Sequence, residues 1–347
     1  MLIGNYKETY AADEALFRTP TARAWVAVGA AAAIGFPFLA GDYLLYLANL
    51  VGVLAIGALG LNILTGFTGQ ISLGHAAFMG IGAYATAVLA ARAGWPFWLA
   101  VPAGGAAACL AGMVVGVPSL RIKGLYLAIA TLAAQVIFEW IFTNWSSVTG
   151  GIRGINVPPA QLFGFGFDTD RRLYFLILAL AAAHTWAAAN LFRTRIGRAF
   201  IAIRDRDISA ELIGINLFRY KILAFMLSSY FAGIAGGLWV YFTRVVTPEN
   251  FPLSLSIQFL AMIIVGGLGS IKGTLMGTVF ITLVPELLKA LAQSARTFAP
   301  EAMSYLFPLR DIVFGAMIVA FLIFEPHGLN EMWNRTRRFF ALWPFPK

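Results

Sequence analysis

Two short stretches place glycines beside hydrogen-bonding side chains inside apolar sequence. The first runs Leu61-Asn-Ile-Leu-Thr-Gly-Phe-Thr-Gly-Gln-Ile-Ser-Leu-Gly-His75. Asn62, Thr65, Gln70 and Ser72 supply donors and acceptors, and Gly66, Gly69 and Gly74 recur at intervals rather than clustering as one turn. Backbone at membrane depth must satisfy its own hydrogen bonds unless it lines a protein-walled or watery cavity. The segment therefore reads as a broken or re-entrant element lining a path for a polar solute, or as a plain turn at the end of a span. The second stretch lies two hundred residues on. Gly66-x-x-Gly69-x-Ile71 recurs as Gly266-x-x-Gly269-x-Ile271, each at the end of an apolar run. Membrane proteins built from two related halves carry such Gly-interrupted helices at matching positions. Chance recurrence in a chain with 35 glycines is the alternative. Thr131 and Gln135, one helical turn apart, face either the same path or a neighbouring helix as hydrogen-bonding glue.

Covalent chemistry finds no footing. His75, His184 and His327 are far apart and lack partner ligands, so no metal site is expected. His184 within a span and Glu139 near the outer end of another are intramembrane ionisable groups, and read best as a structural hydrogen bonder and an interfacial side chain. One cysteine, Cys109, excludes a disulfide framework. Neither His-Glu-x-x-His nor Gly-x-Ser-x-Gly occurs. Gly80-x-Gly82-x-x-Ala85 lies in an apolar helix without a preceding strand, so it is no dinucleotide fingerprint. Around Lys272, Ile271 precedes and Gly273 follows, where a phosphate loop needs Gly before the Lys and Ser or Thr after it. The chain is therefore not expected to hydrolyse ATP, to hold a cofactor, or to be an enzyme.

The elements that must position these residues are membrane spans. Of 347 residues, 60% are hydrophobic and 12% charged, against about 25% charged in a soluble domain. The mean hydropathy is +0.78. Long apolar runs without alternation exclude a barrel. At about 20 residues per crossing, candidate spans cover 24–40, 43–64, 76–91, 97–117, 125–142, 173–192, 222–242, 253–268, 273–291 and 311–324. Some are short enough to be half-helices, so the expected fold is an all-α polytopic membrane protein of about 8–10 transmembrane helices with Gly-rich breaks and a possible internal repeat. Small residues (Gly80, Gly82, Ala85; Gly104, Gly105, Gly112; Gly233, Gly236, Gly237) read as helix-packing seams. No leader peptide is expected at the charged N-terminus.

Charge sets the orientation. With residues 1–23 cytoplasmic, the cytoplasmic segments hold 17 of the 25 Lys and Arg residues and eight of the 16 acidic ones, so the whole net charge of +9 lies on one side. Both termini (1–23 and 325–347) and loop 193–221 are then cytoplasmic, loop 143–172 is outside, and 24–324 is the membrane domain. That use of the charge leaves no case for nucleic acid.

Loop 193–221 carries a second pattern. Ala199, Phe200, Ile203 and Asp207 fall at helical spacing. Asp207 is a plausible N-cap for Ser209-Ala210-Glu211-Leu212-Ile213, which stops at Gly214. Such a short amphipathic helix lies on the membrane or docks in a partner's groove; a solvated, positive-inside loop is the other reading.

The run 60–84, Leu120-Arg-Ile-Lys-Gly-Leu-Tyr-Leu-Ala-Ile-Ala-Thr-Leu132, Gly150-Gly-Ile-Arg-Gly-Ile155, Ile196-Gly-Arg-Ala-Phe200, Ile213-Gly-Ile-Asn216, Ile264-Val-Gly-Gly-Leu-Gly-Ser270 and Phe324-Glu-Pro-His-Gly-Leu329 together resemble the permease subunits of branched-chain amino-acid ABC importers, the longer of the two types. In the last of these His327 stands where the family usually has Arg, a minor departure. The resemblance spans roughly 45–330. It implies a transport subunit in the bacterial cytoplasmic membrane, surrounded by membrane lipid. Its implied partners are a shorter permease, two cytosolic ATPases that hold ATP and Mg, and a periplasmic or extracellular binding protein. It makes Asp207, Ser209, Ala210, Glu211, Leu212, Ile213 and Gly214 the ATPase-coupling helix, with Ala210 and Gly214 nearest the partner. The path is expected along Asn62, Thr65, Gly66, Gly69, Gln70, Ser72, Thr131, Gln135, Gly266 and Gly269. Relatives that handle urea or short amides leave those as alternative cargoes. A stand-alone secondary transporter and an intramembrane enzyme are the rival classes; the first usually needs buried charges that are scarce here, the second a catalytic constellation.

Overall fold

The computed structural model describes residues 20–119, 124–162, 164–295, 306–325 and 328–342. Each expected span falls on a helix, because uninterrupted apolar sequence in lipid can satisfy its backbone only within itself. The helices are α1 (Pro20–Leu39), α2 (Asp42–Leu61), α3 (His75–Ala91), α4 (Phe97–Ser119), α5 (Leu125–Asn144), α6 (Asp170–Leu191), α7 (Arg195–Asp205), α8 (Asp207–Leu212), α9 (Leu217–Thr243), α10 (Leu253–Gly266), α11 (Ile271–Ala295), α12 (Leu306–Phe324) and α13 (Gly328–Leu342). Among the described residues, seven helical segments are long and apolar enough to cross a membrane, and Ala24–Leu39 and His75–Ala91 are shorter apolar helices.

The 27-residue α9 is the axis of the molecule and packs on α2, α3 and α4. It is about 40 Å long at 1.5 Å per residue. Small residues let the helices close on it: a Cβ on Gly233 would lie 2.6 Å from the Ala108 Cβ and 2.9 Å from the Gly105 Cα. The expected seam of glycines is therefore the real contact between α9, α3 and α4, where close backbone approach replaces a hydrophobic drive that lipid does not provide.

The two polar segments sit at opposite ends of this axis. At its start lie α7 and α8. At its end, β4 (Val245–Val246) pairs antiparallel with β1 (Ile155–Asn156), with Ile155 opposite Val246. A small hairpin, β2 (Gln161–Leu162) with β3 (Phe165–Gly166), belongs to the same end segment. Segment 145–169 is thus a built cap over one end of the bundle.

The intramembrane ionisable groups take structural roles. His184 Nδ1 lies 2.7 Å from the Leu180 carbonyl, and its ring stands edge-on to Phe231. Glu139 is half-buried. His327 lies outside the described residues. No group of three His, Cys, Asp or Glu side chains among the described residues is placed to hold a metal.

Candidate functional site

The first break starts as a widening of α2. After Leu61 the helix passes into a π turn, Asn62–Gly66, in which the Phe67 N–H donates to the Asn62 carbonyl at 2.9 Å. Thr68 Oγ1 donates to the Ile63 carbonyl at 2.6 Å and Thr65 Oγ1 to the Gln70 carbonyl at 3.0 Å. Thr68 thus occupies a carbonyl that the regular ladder has released, and Thr65 ties the turn to the loop that follows it. The chain then turns at Gly69, whose φ of +72° L residues rarely adopt. The second break is shorter and turns at the matching glycine. α10 ends at Gly266, Gly269 has φ +73°, and α11 begins at Ile271. The glycine spacing thus recurs as a matching positive φ at Gly69 and Gly269, while the rest of the backbone differs: Phe67 is helical (φ −100°) where Gly267 has φ +118°.

The two breaks touch. The Gly269 N–H donates to Asn62 Oδ1 at 3.0 Å, and Asn62 Nδ2 donates to the Ser270 carbonyl at 3.3 Å. One amide thereby satisfies both polarities of the opposite break. Arg204, from α7, reaches the same point: its Nη1 donates to the Gly66 carbonyl at 3.2 Å, and a Cβ on Gly269 would lie 2.7 Å from that nitrogen. Asp205 holds the guanidinium from the other side at 3.0 Å. Arg204 was read from sequence only as one loop charge among many; a contact 138 residues away leaves no local signal.

Ser72, Thr131 and Gln135 serve a different purpose. α3 starts inside the protein, and its N-cap, Gly74, offers no side-chain cap. The first N–H groups of a helix need partners from elsewhere. The Leu73 N–H donates to Thr131 Oγ1 at 2.9 Å, the Ala76 N–H to Ser256 Oγ at 2.9 Å and the Ala77 N–H to Gln135 Oε1 at 2.7 Å. Gln135 Nε2 then donates to the Phe251 carbonyl at 2.9 Å, and Ser72 Oγ accepts from the Gly74 N–H at 3.4 Å. Thr131, Gln135 and Ser72 are fully buried. Of the two readings for Thr131 and Gln135, interhelical glue describes this conformation. Ser256 was missed in the sequence.

Gly69 and Gln70 also line a cleft of about 490 Å³, together with Thr68, Arg204, Asp207 and Lys221. The Gln70 Nε2 is buried and has no hydrogen-bond partner among the described residues. An unsatisfied buried donor costs about 1–3 kcal/mol, so this amide favours any state, or any solute, that offers it an oxygen.

Loop 193–221 differs from expectation in three ways. The stripe Ala199, Phe200, Ile203 faces inward from α7 and is buried; it does not continue into the next helix, because Arg206 is extended (φ −156°, ψ 106°) and separates α7 from α8. Asp207 is the first residue of α8 rather than its cap, and its carboxylate lies 3.8 Å from Lys221 Nζ. Ala210, expected nearest a partner, is 2% exposed, because α8 turns that side onto α7 and α9. The exposed apolar side chains on and just after α8 are Ile208 at 68%, Leu212 at 83% and Ile213 at 75%. Ser209, Glu211 and Gly214 are exposed beside them.

Residues 43–322 match the family model of the permease component of branched-chain amino acid transport systems. The chain is 31% identical over 324 residues to the high-affinity branched-chain amino acid transport system permease protein LivM of Escherichia coli, covering 86% of this chain and 73% of that one. It is 24% identical over 299 residues to the high-affinity branched-chain permease protein LivH of the same organism, covering 79% and 90%. It is 25% identical over 248 residues to the autoinducer 2 import system permease protein LsrC of Salmonella choleraesuis, covering 67% and 65%. No solved structure matches the chain.

Proposed function

We propose that this chain, which belongs to the branched-chain amino acid transport permease family and is a multi-pass permease subunit of an ABC importer, moves branched-chain amino acids inward between two paired gates. Its place is the bacterial cytoplasmic membrane, with both termini and loop 193–221 on the cytosolic side. ATP and Mg are held by two ATPase subunits, and this chain holds no cofactor. A shorter permease completes the channel, and a periplasmic or extracellular binding protein delivers the cargo. The observation that carries the mechanism is the meeting of Arg204 with both Gly-rich breaks.

In this mechanism the breaks form a closed constriction, latched by the Asn62 amide. α7 and α8 pack together and move as one unit. Force on α8 then reaches Arg204, at the end of α7, across the extended Arg206 and lifts it from the Gly66 carbonyl. A residue bonded to both a loop and a gate biases a two-state element, which is what coupling requires. Freed from the latch, the amides of Asn62 and Gln70 become hydrogen-bonding groups for a zwitterionic solute, and the chain does no covalent chemistry.

The docking surface on α8 is Ile208 and Leu212, four residues apart on one helix face, with Ile213 beside them. A charge forced into an apolar contact costs several kcal/mol, and each 1.4 kcal/mol is about tenfold in affinity. Leu212→Asp, and Ile208→Asp independently, should therefore cut co-purifying ATPase at least about tenfold. Full retention of the ATPase and normal substrate-stimulated ATP hydrolysis in both variants would remove α8 as the coupling site. Ala210→Arg is unsuitable for this test, since it would disturb the chain's own packing.

Orientation is tested by labelling. In a Cys109→Ala background, Ser209→Cys should react with a membrane-impermeant maleimide only in inside-out vesicles, and Ser147→Cys only in intact cells. Both positions are exposed. Reaction of Ser209→Cys from outside overturns the topology.

A further inference from the structure

The last helix, α13, plays no part in the mechanism above. It begins three residues beyond the end of α12, at the edge of the membrane domain. Its start is pinned: a Cβ on Gly328 would lie 2.6 Å from the Gly267 nitrogen, so the helix leaves the molecule directly from the second break. The Leu329 side chain packs on the core. This is also the end of the bundle that Arg204 reaches, because Arg204 and Gly328 meet the same 266–269 segment.

Among the described residues, the apolar side of α13 beyond Leu329 is largely exposed at Met332 (42%) and Trp333 (60%). At 100° per residue, Leu329, Met332, Trp333, Thr336 and Phe339 occupy one arc of about 120°. Arg335 and Arg337 border that arc on its two sides, and Arg338 lies opposite. The bordering positions allow long stems to follow the apolar face while the guanidinium groups rise to a charged layer. Arg335 pairs with Glu325 at 3.1 Å and Arg338 with Glu331, yet both arginine side chains remain about two-thirds exposed, at 67% and 66%. Three arginines against the single acidic Glu331 leave the helix cationic.

We propose that α13 is an interfacial helix whose occupant is the lipid surface, its apolar arc in the acyl boundary and its arginines on anionic headgroups, and that it ties the second break to that leaflet. Three features favour lipid over a protein partner: the helix begins where a span ends, the apolar arc continues the surface of the membrane domain from Leu329, and Arg335 and Arg337 flank the arc where headgroups would lie.

The test uses the full chain in a Cys109→Ala background, reconstituted in vesicles of phosphatidylcholine alone or with phosphatidylglycerol added. A nitroxide is placed at Met332→Cys on the apolar arc, and separately at Asn334→Cys on the opposite side. With phosphatidylglycerol present, the label at 332 should collide with oxygen in preference to a nickel chelate, and the label at 334 the reverse. The ratio at 332 should fall several-fold in phosphatidylcholine alone, and equally in an Arg335→Gln, Arg337→Gln, Arg338→Gln triple variant with phosphatidylglycerol. A label at 332 open to nickel in both lipids overturns the interfacial placement. Burial that ignores lipid charge and the arginines overturns the headgroup assignment, and a label equally immobile in detergent and in vesicles shows that protein covers the face.

Discussion

Asn62→Leu should reduce leucine uptake at least about tenfold at equal amounts of inserted protein. The substitution removes the acceptor for the Gly269 N–H and the donor to the Ser270 carbonyl together. Each orphaned polar group costs about 1–3 kcal/mol where water cannot reach it. Leucine has the same branched side-chain skeleton as asparagine, so it can occupy the same rotamer in the inserted protein, and the loss falls on the closed pairing of the breaks. That pairing is one of two states that must alternate, and a change of 1.4 kcal/mol shifts such a balance about tenfold. Uptake near wild type in Asn62→Leu would dismiss the amide latch.

Gly269→Leu should be as severe for a different reason. At φ +73° an L side chain is strained by about 1–2 kcal/mol. Its Cβ would also fall 2.7 Å from Arg204 Nη1, and the rest of the leucine would take the place of the guanidinium on the Gly66 carbonyl. The arginine is flexible, so the chain still folds, but the link from α7 to the gate is displaced. Gly94 separates the two costs: it has φ +66° and nothing within 4 Å of a Cβ. Gly94→Leu carries the backbone strain alone and should keep most of the uptake. The expected signature of Gly269→Leu is ATP hydrolysis that continues while uptake is lost. Equal uptake in the two variants would mean that backbone strain, not Arg204, governs the position.

The spans were legible because lipid imposes one rule on every residue in them, and both breaks because glycines recur at a fixed spacing. The touching of the breaks was not legible. Asn62 reads locally as a polar side chain beside a path, and only its placement opposite Ser270 makes it a bridge. Arg204 was invisible for the same reason. Ala210 failed differently. Six residues make less than two turns, so periodicity in Asp207–Leu212 does not decide which side is covered, and α7 and α9 cover the alanine while Ile208 and Leu212 stay open. Thr131 and Gln135 were correctly placed on one face, but a helix capped from elsewhere has no local capping sequence to read.

That borrowed cap bears on how the chain is made. α3 is synthesised with its first N–H groups unmatched. Gln135, the partner of the Ala77 N–H, follows 58 residues later, and Ser256 180 residues after Ala76. Until α5 and then α10 emerge, the start of α3 needs water or the insertion machinery to satisfy it. Membrane entry of the early spans is thus completed only by the late ones. A chain cut after α9 keeps its first spans and lacks Ser256, which finishes the start of the third helix, and this makes that helix start the natural place for quality control to recognise an unfinished subunit.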